Sequence, residues 1–161
     1  MLELSDNTIS IMADMCQNLR RLAIIVSKEL IKPIACMVAN IPNLQALVLS
    51  AWDPPLLDSL FNELAKHQLL HLQDLALSSM DNCHVDSLEN FLSRSRPPLR
   101  SLVIARTCLM TEAHINVILH YLRDTLESLV IYYDVDGVSK ECIERVSAYK
   151  KNNFCLETNF V

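Results

Sequence analysis

The chain holds a single glycine, Gly137, among 161 residues. A phosphate-cradling loop, a dinucleotide fingerprint and a nucleophile elbow each need at least two. That shortage argues against nucleotide-dependent enzymes and α/β-hydrolase chemistry. Aromatic residues make up only 6% of the chain, so there is no stock of stacking platforms for single-stranded bases. Positive charge is also short. Fourteen Lys and Arg stand against 19 Asp and Glu, a formal net charge of -5, and no basic field invites nucleic acid. The six cysteines (Cys16, Cys36, Cys83, Cys108, Cys142 and Cys155) are scattered and form no C-x-x-C pair. They are too sparse for a disulfide scaffold and read as buried thiols in a reducing compartment, cytoplasmic or nuclear. The first six residues carry Glu3 and Asp6 and no positive charge, unlike the basic start of a secretory signal.

One long uncharged run is present, from Pro33 to Trp52. Its length is nominally enough to span a bilayer. Pro33, Asn40, Pro42, Asn43 and Gln45 lie inside it, however, and Pro42 would break a spanning helix near its middle. The expected reading is a buried helix, a turn and a buried strand, with no membrane partner.

Reactive side chains form no recognisable constellation. His67 and His71 stand at i and i+4 but have no third ligand at motif spacing. They read as residues near a helix end, where histidine suits the negative end of the dipole. Cys83 and His84 are a lone adjacent pair, and His114 and His120 fall on different helix faces. The stretch Asp134–Gly137 resembles the start of a calcium loop without its later glutamate, and Gly137 is more simply a turn residue. No catalytic residue, no metal and no cofactor is expected.

What the chain does have is leucine at a fixed rhythm. A template of Leu, two residues, Leu, one residue, and Leu or Ile occurs five times. The matches begin at Leu19, Leu44, Leu72, Leu99 and Leu126, a near-constant spacing. The second and third template positions alternate with other residues, which is the period of a strand with one buried face. A short irregular link follows each strand. Apolar residues then recur at helical spacing: Leu57, Leu60, Phe61 and Leu64; Val85, Leu88 and Leu92; Ile115, Ile118, Leu119 and Leu122. Thr111 before Glu112 and Ser139 before Glu141 signal helix starts. The Pro97-Pro98 pair ends the helix ahead of the fourth strand.

A strand–helix unit that returns at this spacing cannot bury its own leucines; stacking on a neighbour does it. The expectation is therefore an α/β solenoid forming a single domain over residues 1–161. Its parallel strands lie near 19–25, 44–50, 72–78, 99–105 and 126–132. Partial units stand at both ends. Leu2, Leu4 and Asn7 fit the tail of one unit, with a helix over Thr8 to Met15. A helix over Ser139 to Lys150 leads to a sixth, degenerate strand, in which Phe154 takes the place that Leu126 has in the unit before.

These units resemble leucine-rich repeats of the ribonuclease-inhibitor-like type over nearly the whole chain. That resemblance implies strands on the concave side and helices on the convex side. More narrowly, "SRSRPPLRSLVI" followed by "LMTEAHINVILHYLRDTLESLVI" is similar in style to the repeats of fungal F-box proteins. The chain departs from the family at one position. Asn or Cys usually stands three residues after the last strand leucine. Here Ser27, Trp52, Met80, Thr107 and Asp134 take that place, and only Asn7 conforms. Ser, Thr and Asp can partly satisfy the buried backbone groups there; Trp52 and Met80 cannot. No F-box module is recognisable ahead of the first repeat.

The residues between the buried leucines then face the concave side. The central column reads Ala23, Val48, Ala76, Val103 and Val130. Arg21, Ala46, Asp74, Ser101 and Ser128 flank it on one side, and Ile25, Ser50, Ser78, Ala105 and Tyr132 on the other. This small, weakly charged stripe reads as a docking face for a protein partner. Arg21, Val48, Asp74, Val103 and Val130 line it, and Trp52 and Tyr132 are the aromatic anchors at its rim. Asp53, Asp81 and Asp134 add an acidic edge. The expected function is a non-catalytic protein-binding scaffold, and the F-box likeness implies substrate recognition for a ubiquitin ligase. The alternatives are a structural segment of a longer array or sensor and, against the single glycine, a small hydrolase or transferase.

Overall fold

The computed structural model describes Ile11 and residues 15–51, 55–78, 83–107, 111–133 and 155–158. Strands and helices alternate along the chain. They are β1 (Arg21–Val26), one 3-10 turn (Lys28–Leu30), α1 (Ile31–Asn40), β2 (Ala46–Ala51), α2 (Pro55–Leu64), β3 (Asp74–Ser78), α3 (Val85–Ser95), β4 (Ser101–Thr107), α4 (Glu112–Leu122), β5 (Ser128–Tyr133) and β6 (Cys155–Thr158). The strands form one parallel sheet whose spatial order follows the chain order. Parallel neighbours need crossover connections, which the helices supply, and the architecture is α/β.

Local chemistry explains the boundaries. The uncharged run from Pro33 resolves into α1, a turn at Pro42–Asn43 and β2. Pro33 sits in the first turn of α1, where a missing N–H costs nothing. Ile41, ahead of Pro42, is extended at φ -87°, ψ 103°, as the residue before a proline must be. Among the described residues no helix is long and apolar enough to cross a membrane. Pro55 opens α2 at the position proline favours. Thr111 caps α4 through a reciprocal pair with His114. α3 ends on Arg96 in the left-handed region, φ 45°, with Pro97 next.

Each strand begins two positions after the start of the repeat template. The leading leucine therefore lies in the loop ahead of the strand, and Leu44, Leu72 and Leu99 are buried there. The cause is in the backbone. The carbonyl of Arg20 accepts the N–H groups of both Gln45 and Ala46, and Gln45, Gln73 and Arg100 repeat this for the next unit in turn. These paired bonds to one carbonyl set the unit-to-unit offset just before the ladder starts.

In register, Leu47, Leu75, Leu102 and Leu129 form one buried column, and Leu49, Leu77, Ile104 and Ile131 the next; none exceeds 2% exposure. Both columns belong to one core with the inward residues of α1 to α4. Leu57, Leu60, Phe61, Leu64, Leu88, Leu92, Ile115, Ile118 and Leu122 are buried as their spacing predicts, whereas Val85 and Leu119 are half-buried. Phe91, which the periodicity did not single out, is fully buried and stacks on Phe61 with ring centroids 5.0 Å apart.

Four particulars differ from expectation. Leu22 and Ile24 stand in the buried columns but are only half-buried, because β1 is the sheet edge among the described residues. Between β4 and β5 the register shifts at Ala105/Thr107, so the column after Tyr132 is broken by a bulge. A sixth strand is present, but Cys155 pairs with Ser128 and Leu156 with Leu129. Had Phe154 matched Leu126, Leu156 would pair with Ser128, so β6 sits one position earlier than expected. His67 and His71 follow the end of α2 at Leu64 and share no helix. The expected helix over Ser139 to Lys150, the partial unit at Leu2 to Asn7, the links at Asp53, Asp81 and Asp134, and Phe154 itself lie outside the described residues. So do Trp52, Met80, Cys108, Cys142 and Gly137. Of the helix placed over Thr8 to Met15, only Ile11 and Met15 are described, both helical.

Candidate partner-binding face

Side chains alternate across a strand, so the residues between the buried leucines point to the sheet face away from the helices. Strand pairing aligns them in three columns. Arg21, Ala46, Asp74, Ser101 and Ser128 are mutual partners, as are Ala23, Val48, Ala76, Val103 and Val130. Ile25, Ser50, Ser78, Ala105 and Tyr132 make the third. The columns are those that the repeat spacing predicts.

Coverage varies along the face. Arg21, Ala23, Ile25 and Val48 are exposed, Ile25 at 64% and Val48 at 42%. Asp74, Val103 and Val130 are half-buried. The sheet thus brings five of the seven expected binding residues onto one face: Arg21, Val48, Asp74, Val103 and Val130. Trp52 lies outside the described residues, and Tyr132 is placed only by its backbone. The middle of the third column is tied internally, because the Ser78 hydroxyl donates to the Ser50 hydroxyl at 2.6 Å. Just ahead of β4 and β5, Arg100 and Glu127 approach to 3.8 Å, an exposed pair worth little. The face is therefore apolar in the centre, with the Arg21 guanidinium at one edge and the Asp74 carboxylate two strands away.

A polar network joins the first turn of α2 to the N-terminus of α3. Asp58 of α2 accepts the backbone N–H of His84 at 2.8 Å and also bonds the His84 ring at Nδ1. α3 has no side-chain cap of its own. Asp58 therefore places a carboxylate from the preceding helix at the α3 N-terminus, where the dipole favours negative charge. Partial burial pushes the Asp58 carboxyl up, but bonds from the His84 ring, the His84 N–H and the Ser87 side chain outweigh it and leave the group below its ordinary value. The same bond to Asp58 raises His84, whose ring is exposed.

Cys83 lies buried beside this pair. Burial pushes its thiol far up, and the Asp58 carboxylate adds to that. The sulfur lies 3.7 Å from the His84 carbonyl rather than on an imidazole nitrogen. Cys83, His84 and Asp58 therefore lack the thiol-to-imidazole contact that activates a cysteine nucleophile. The Cys83 carbonyl instead accepts Nε2–H of buried His114 at 2.8 Å. Nδ1 of His114 accepts the Thr111 N–H at 3.2 Å, with the Thr111 hydroxyl 2.9 Å away. A carbonyl on one side and an N–H on the other fix the Nε2–H tautomer.

Sequence reasoning did not find the Asp58–His84 pair or the His114 bridge, each of which joins one unit to the next. No local spacing signals them; they follow only once the units are stacked. Among the described residues no group of three or more His, Cys, Asp or Glu side chains gathers to hold a metal ion. On the helix side a groove between α1 and α2 is lined by Lys28, Lys32, Pro55, Leu56, Asn62 and Glu63, a mixture of charges and apolar carbons. Compared with protein-family models, with curated proteins and with solved structures, the chain has no match.

Proposed function

We propose that the chain is a leucine-rich-repeat solenoid that binds a protein segment on the concave face of its sheet and carries out no bond chemistry. One observation carries the reading. The central column puts aliphatic side chains in register across neighbouring strands, and Val48 is left exposed within it, away from the core. Parallel strands in chain order, joined by helices, support the solenoid part of the reading.

The mechanism is presentation of a preformed surface. Side chains as small as Ala, Ser and Val let a partner's backbone lie close to the sheet. Val48 is 42% exposed, so covering the rest of it contributes about 1 kcal/mol. Arg21 and Asp74 orient the segment by opposite charge. Trp52 and Tyr132 are the proposed aromatic anchors. The likeness to F-box repeats makes substrate capture for a ubiquitin ligase the concrete form of this reading. An F-box coded upstream in the same reading frame supports that form. A nucleotide-binding module there contradicts it in favour of a sensor.

The binding reading itself is tested with segments selected on the protein from a displayed peptide library. The double variant Val48→Lys, Val103→Lys binds them at least ~10-fold weaker, a loss of about 1.4 kcal/mol, with unchanged circular dichroism. Equal affinity in the variant contradicts the chosen face.

A further inference from the structure

We draw no further inference here: the strongest candidate, the half-exposed end of the core at the β1 edge of the sheet, where Leu22 and Ile24 are less covered than the leucines paired with them, is an apolar face unpartnered among the described residues, and nothing in the structure shows what covers it.

Discussion

Leu75 and Leu102 face each other in the buried column, each 2% exposed. Truncating either removes transfer free energy and leaves a cavity that a stacked unit cannot fill by collapsing. Leu102→Ala should cost about 2–5 kcal/mol in urea unfolding, whereas Val103→Ala, next along the chain and on the other face, should cost under about 1 kcal/mol. Arg96 tests the opposite direction. It is the only non-glycine residue with positive φ among those described, at 45°. The left-handed region costs an ordinary residue about 1–2 kcal/mol, and glycine escapes that but loses about 0.5–1 kcal/mol more entropy on folding. Arg96→Gly should therefore stabilise by up to about 1.5 kcal/mol, visible as a melting temperature raised by a few degrees. The shortage of glycine, which argued against nucleotide chemistry, has this structural counterpart: a helix C-terminus closed by arginine.

The elements show which features a linear sequence carries. The two strand leucines of each unit and the helix faces of α2 to α4 were legible because their periods, two and 3.6, are local. The near-constant spacing of five matches also made the register legible, so that Val48 and Val103 could be placed in one column before any pairing was known. The bulge between β4 and β5 and the bond between Asp58 and His84 were not legible. Both depend on how far one unit slides along its neighbour, which the backbone carbonyls at those junctions, Arg100 between β4 and β5 and Gln45 between β2 and β3, help to set. The Asp58–His84 link makes a pH prediction. His84 is raised on folding, so its contribution is fully present below its ordinary value of 6.5 and is lost as pH rises through the higher folded value. Asp58 is lowered, so its contribution is fully present above its ordinary value of 3.8 and is lost as pH falls through the lower folded value. The stability difference between the natural chain and Asp58→Asn should thus be greatest between these two pH values and shrink on both sides. A difference that keeps growing toward alkaline pH contradicts the pairing.

At the scale of the whole molecule, the sheet is a stack in which interior strands are covered on both sides by their neighbours. Columns of buried leucine hold it together. The same register that stacks the leucines necessarily stacks the residues between them. A face of small and aliphatic side chains is therefore a by-product of the repeat, and its use as a binding surface is the central claim. Valine methyl resonances test that claim most directly. Val48, Val103 and Val130 point to the sheet face, whereas Val26 and Val38 are buried. On titration with a selected peptide segment, the methyl signals of Val48, Val103 and Val130 should shift together along one saturating curve, with those of Val26 and Val38 unmoved. Saturable shifts confined to residues of α1 to α4, with the three column valines unchanged, would contradict it.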